Sequence, residues 1–150
     1  MDPYESEKAA RVWQRVYPDG RSREPGENLN TLALQLRQLA STYQVLSRHV
    51  TPPFSTILKS MSDKKHAQAA CLRGLCILDS GSCPTLRLSQ SKPEPIIAAL
   101  RRCYALEMQL LTHFELCAAD PSHGPTFAAL AAEQRSCCKT IPELVGQLER

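Results

Sequence analysis

The feature that most restricts what this chain can fold into is a repeated apolar spacing. Between Asn28 and Val50, the residues Leu32, Leu36, Leu39, Tyr43, Leu46 and Val50 follow one another in alternating steps of four and three. At about 3.6 residues per turn, such a series falls on one stripe of a helix, and a stripe of that width is what neighbouring helices cover in a bundle. Three further segments carry helical stripes. Phe54 to Leu78 (segment B, after segment A above) places Leu58, Ala69, Leu72 and Cys76 inward, with Lys59, Lys64 and Gln68 among its polar positions. Glu94 to Ala119 (segment C) has Ile96, Leu100, Cys103, Glu107, Leu110, Phe114 and Cys117. Segment D, after Pro125, has Phe127, Leu130, Cys137, Ile141, Leu144 and Leu148. No stretch alternates at the period of a strand, and the good helix formers Leu, Ala, Gln, Arg and Glu dominate. The expected class is all-α.

The connections set the topology. Pro52-Pro53 makes a tight turn, so segments A and B run antiparallel. Asp79 to Pro95, DSGSCPTLRLSQSKPEP, is long enough at about 3.3 Å per residue to travel the length of a bundle, and is read as a crossover. Asp120 to Pro125 forms a turn between C and D. Pro142 inside segment D predicts a kink, or a restart capped by Thr140 with Glu143 closing the box. Upstream, Ala9, Val12, Trp13 and Val16 share one face of a short helix over about Tyr4 to Tyr17, with a polar linker through Glu27. The predicted organisation is a docking helix and linker over residues 1–27, then a four-helix bundle over residues 28–150.

Composition narrows the partners. A chain of 150 residues is the size of one domain and buries a real core without metal or disulfide staples. Eighteen Lys and Arg against fifteen Asp and Glu, spread along the chain, give +3. That is too little and too dispersed for a nucleic-acid groove. No run approaches the roughly 20 apolar residues that span a bilayer, and the start MDPYESEKAARVW has acids and no apolar core of a leader, so neither membrane nor export is expected. Seven cysteines without a Cys-x-x-Cys spacing fit neither a disulfide framework nor a zinc ribbon. Reduced thiols and a cytoplasmic location follow.

The residue out of place is Glu107, a carboxylate at an apolar position of segment C. Such a group has to be hydrogen-bonded, with His66, Tyr43 or an Arg as candidate partners, or bind a metal. Asp63-Lys64-Lys65-His66 supplies an acid and an imidazole three residues apart in segment B, and Glu133-Gln134-Arg135-Ser136 supplies an acid on the shoulder of the stripe in segment D. Each also has a plainer reading. Asp63 lies in the charged run Ser62-Asp63-Lys64-Lys65, about 60° round the helix from His66. Glu133 suits solvent, and Cys103 and Cys137 suit small core positions better than they suit thiolate ligands.

With ASTYQVLSR, DKKHAQAACLRGL, CYALEMQLLTHFELCAADPSHGPTF and LAAEQRSCCKTIPELVGQLER, these residues give the chain, over about Leu29 to Arg150, a resemblance to the ferritin-like, rubrerythrin-related domains in a short form without a rubredoxin module. The resemblance implies a ferritin-like four-helix bundle with a long crossover, and a di-iron site at its centre. It maps ligand positions onto Leu36, Asp63, His66, Glu107, Glu133 and Ser136. Asp63, His66, Glu107 and Glu133 can bind metal; Leu36 and Ser136 cannot take the ligand roles, so each iron loses one terminal ligand. Asp63 is also one methylene shorter than the Glu the pattern implies. Iron is the implied cofactor, with none bound if the site is vestigial. The expected function is a ferritin-like bundle with an incomplete di-iron site, non-catalytic or weakly metal-binding, acting through surface contacts that include a homodimer. The alternative is a rubrerythrin-like oxidoreductase that reduces peroxide or oxygen at an atypical metal site.

Overall fold

The apolar stripes become helices. A computed structural model describes residues 25–92 and 94–150, and among these are four α-helices and no strand: α1 (Pro25–Ser47), α2 (Phe54–Ser80), α3 (Ile96–Cys117) and α4 (Gly124–Leu148). The docking helix expected over Tyr4 to Tyr17 lies outside the described residues. Helix α1 starts at Pro25, inside the stretch read as linker through Glu27. Proline suits a first helical position, where the missing N–H would have had no intrahelical partner. The chain divides into two compact units, one extending to Ala99 and the other comprising Leu100–Arg150.

In the first unit, α1 and α2 pair as a helical hairpin. The stripe residues Leu32, Leu36, Leu39, Tyr43 and Leu46 of α1 are all buried, as are Leu58, Met61, Ala69, Leu72, Leu75 and Cys76 of α2. Ser62 Oγ of α2 donates to the Ala40 carbonyl of α1 at 2.8 Å, a polar tie between two helices at small residues. Gly81 ends α2 in the left-handed region at φ 80°, and its N–H bonds the Ile77 carbonyl at 2.8 Å. A residue with a Cβ is strained in that conformation, so glycine suits this helix stop.

Beyond Gly81 the chain has no regular structure up to α3, and its backbone groups need other partners. Side chains of the hairpin supply several. Asn30 Nδ2 donates to the Pro84 carbonyl at 2.8 Å, Arg37 to the Leu86 carbonyl at 3.0 Å, and Ser41 Oγ lies 3.3 Å from Ser91 Oγ. From α2, Arg73 reaches the Cys83 carbonyl and the Thr85 hydroxyl, both at 3.2 Å. The connection therefore runs along α1 in the same direction as that helix, covering the rise of about 16 Å from Asn30 to Ser41. The long connection expected from DSGSCPTLRLSQSKPEP is thus a strap that returns the chain along the hairpin.

Of the expected inward series of α3, Leu100, Cys103, Glu107, Leu110, Phe114 and Cys117 are buried, and Ile96 at the start of the helix is half-buried. Helix α4 buries Phe127, Leu130, Ala131, Gln134, Cys137, Cys138, Ile141 and Leu144. Phe114 and Phe127 pack with ring centroids 6.3 Å apart and tilted by 38°. The turn between the helices is held by Asp120, whose Oδ1 accepts the Ser122 N–H at 2.8 Å. Pro142 does not restart the helix. Helix α4 is continuous through it, and Thr140 Oγ1 donates one turn back to the Ser136 carbonyl at 3.1 Å instead of capping a new helix. Pro142 is exposed, so its ring faces away from the buried stripe. Two ion pairs, Arg101–Glu149 at 3.9 Å and Arg135–Glu115 at 3.4 Å, are solvated and contribute little.

Gly124 opens α4 against the preceding turn, where an added Cβ would lie 2.7 Å from the Ala118 carbonyl oxygen. Backbone cannot yield as a side-chain tip does, so Gly124→Ala is expected to destabilise by about 1 to 3 kcal/mol. Gly146→Ala, in the same helix with nothing within 4 Å of the new methyl, is expected to stabilise by about 0.5 to 1 kcal/mol. Urea denaturation of the two variants beside the parent chain checks both signs.

Candidate functional site

The four residues proposed as metal ligands have different surroundings. Glu107, on α3, is fully buried. Asp63 and His66, on α2, are exposed, and so is Glu133 on α4. Asp63 and His66 line one open cleft of about 400 Å³ on the first unit, together with Gln44, Ser47, Arg48, Lys59 and Ser62. Of the four candidate ligands, only Glu107 is buried. Among the described residues no group of three or more His, Cys, Asp and Glu is arranged to hold a metal ion.

The buried positions on those helices belong to other residues. On α2 they are Lys65, with a relative exposure of 0%, and Gln68, at 1%; Lys65 Nζ donates to Gln68 Oε1 at 2.9 Å. On α4 the buried residue is Gln134, one place after Glu133. Its Nε2 donates to the Glu107 carboxylate at 2.8 Å and to the Glu107 backbone carbonyl at 2.9 Å. The amide holds α3 and α4 together while serving the carboxylate's need for donors.

These inward residues had a signal in the chain. Continuing the steps of four and three back from Cys76, Leu72 and Ala69 leads to Lys65, Ser62 and Leu58. The same steps from Leu130 pass through Gln134 to Cys137. Both positions hold polar residues, so an apolar pattern passes over them although they lie on the stripe. The polar residues that α2 and α4 turn inward are not the mapped ligands, and they suit a metal poorly. A lysine ammonium has three donors and no lone pair to give a metal, and an amide that donates to a carboxylate competes for the electrons a metal would need.

The remaining buried titratable groups are apolar in behaviour. All seven cysteines are thiols, and only Cys71 is exposed. Burial pushes the Cys117 thiol up to about 12, with the nearby Asp120 carboxylate adding to the effect, so it stays protonated at neutral pH. His113 on α3 is half-buried, and its Nδ1 is sealed from water with no hydrogen-bond partner. Burial disfavours its imidazolium and lowers its pKa. The open cleft differs in character: it has basic, acidic and amide groups, and its two serine hydroxyls donate to the Gln44 and Ala40 carbonyls.

The chain matches no protein-family model, no curated protein and no solved structure. Among the described residues no helix is long and apolar enough to cross a membrane.

Gln134→Leu keeps the volume but removes the donor to Glu107, and is expected to destabilise the chain by about 1 to 3 kcal/mol, the usual penalty for stripping a buried polar group of its partner. Equilibrium urea unfolding, with helicity followed by circular dichroism, measures it. A second expectation concerns pH. The folded state lowers the His113 pKa below its ordinary 6.5, so on acidification the unfolded chain takes up a proton first. His113 therefore subtracts stability as pH falls through 6.5 toward the lowered value, and subtracts nothing well above 6.5. His113→Gln is expected to lose less stability than the parent between neutral and mildly acidic pH, read as a smaller shift of the urea midpoint.

Proposed function

We propose that the chain is a helical protein of ferritin-like type that has given up di-iron chemistry and works through its surface, as a homodimer in the cytoplasm. The observation that carries this reading is the identity of the inward polar residues: Lys65 and Gln68 on α2 and Gln134 on α4, where a metal-binding bundle needs carboxylates and imidazoles. Leu36, at a position the resemblance assigns to a ligand, is fully buried and apolar, and supports the same conclusion. Ser136, at another, is exposed. In this reading the polar core is structural: the Gln134–Glu107 bonds between α3 and α4 help to select one register, and Lys65 and Gln68 satisfy one another within α2.

A second reading, weak metal binding at the surface, draws support from the cleft that Asp63 and His66 share. It would make the cleft a site of two protein ligands and solvent. The rubrerythrin-like oxidoreductase alternative requires the exposed Asp63, His66 and Glu133 to join Glu107 inside, so it has less support.

Elemental analysis of protein produced in iron-supplemented medium tests the first reading, with iron expected far below one atom per chain. Two irons per chain would overturn it. Titration with zinc, for the parent and for His66→Ala, separates the second reading, since a metal held in the cleft would be lost with the imidazole. Sedimentation velocity reports the dimer.

A further inference from the structure

The end of α2 contains two thiols that the function above does not use. Cys76 lies in the last turns of the helix and is buried at 2% exposure, while Cys83 lies two residues past Gly81 and is half-buried. The reversal at Gly81 turns the chain back against the helix, so that Cys76 Sγ lies against the backbone of Ser82, the residue before Cys83, and the two thiols come to the same corner of the hairpin. The surroundings fix both. Cys76 Sγ lies 3.5 Å from the Ser82 carbonyl, and Cys83 Sγ donates to Asn30 Oδ1 of α1 at 3.3 Å. Asn30 grips the neighbouring Pro84 carbonyl at 2.8 Å, and Arg73 the Cys83 carbonyl at 3.2 Å, so the strap cannot drift away from the helix without breaking these bonds.

We propose that Cys76 and Cys83 are a redox-active dithiol, a modification site that hydrogen peroxide closes to an intramolecular disulfide, covalently tying the start of the strap to α2. The order of events follows from access. The half-buried Cys83 meets the oxidant first: its sulfur attacks one peroxide oxygen, the O–O bond breaks, and one water leaves with Cys83 as the sulfenic acid. Cys76 sulfur then attacks the Cys83 sulfur, the S–O bond breaks, and a second water leaves. Two thiols and one peroxide become one disulfide and two waters, a two-electron oxidation of the protein. Burial raises the Cys76 thiol, and the neighbouring Cys83 raises it further, which suits Cys76 to the second step better than the first. A small thiol reductant reverses the bond by exchange.

The chain makes the test direct. Trypsin cleaves after Arg73 and Arg87, so residues 74–87, GLCILDSGSCPTLR, form a single peptide holding both thiols, while Cys71 lies on another. The reduced full chain is treated with hydrogen peroxide, denatured with iodoacetamide present, digested and weighed. The expected product is peptide 74–87 lighter by two hydrogens with neither cysteine alkylated, reverting to the doubly alkylated form after dithiothreitol. In Cys76→Ser the reaction should stop at Cys83 sulfenic acid, trapped by dimedone, and in Cys83→Ser residue 76 should stay a thiol. The proposal is overturned if the parent peptide stays doubly alkylated once Cys71 is oxidised, if Cys83 proceeds to sulfinic acid without pairing, or if either thiol pairs with another cysteine.

Discussion

Each described helix of this protein buries one continuous stripe, and whatever side chain falls on the stripe must be satisfied without water. For Leu, Ala, Phe or Cys that condition is met by contact. For a polar residue it is met only by a hydrogen-bonding partner, because an unsatisfied buried donor or acceptor costs about as much as several methylene groups gain. Lys65, Glu107 and Gln134 all stand on stripes and are all at 0% exposure. The pairs Lys65–Gln68 and Gln134–Glu107 are the visible consequence.

This requirement also decides the character of the candidate site. A polar residue one place off the stripe goes to solvent whatever its chemical promise, as Asp63, His66 and Glu133 do. Their neighbours Lys65 and Gln134 go inside because position outweighs polarity once the flanking stripe residues are committed. Among the inward polar residues of α2 and α4, Lys65 and the Gln134 amide donate hydrogen bonds and Gln68 accepts one.

The strap shows the same accounting of polar groups at the surface of the hairpin. A stretch with no regular structure is kept against α1 and α2 by side chains aimed at its carbonyls, from Asn30, Arg37 and Arg73. Its position brings Cys83 back to Cys76, so a chemical property, a meeting of two thiols, arises from a connection whose first demand was backbone hydrogen bonding. The cysteines thus differ by place: Cys103 and Cys117 fill core volume, whereas Cys76 and Cys83 stand where a turn joins two segments.

Much of the architecture is written in local pattern. The helical class, the four segments, the inward series of α3 and the long connection all follow from spacing and turn residues, because helix periodicity is a property of neighbours in the chain. The buried partner of Glu107 is not legible in the sequence, although the four-and-three steps pass through Gln134, because the choice between Glu133 and Gln134 turns on about 100° of helix rotation that only packing against α3 enforces. The same holds for Lys65, since a charged residue enters a stripe only once the helix around it is docked. The continuity of α4 through Pro142, and the meeting of Cys76 with Cys83, were likewise decided only in three dimensions. Sequence set the periods and the breaks; tertiary structure assigned each polar side chain to core or solvent, since burial is a property of the whole fold and not of the residue.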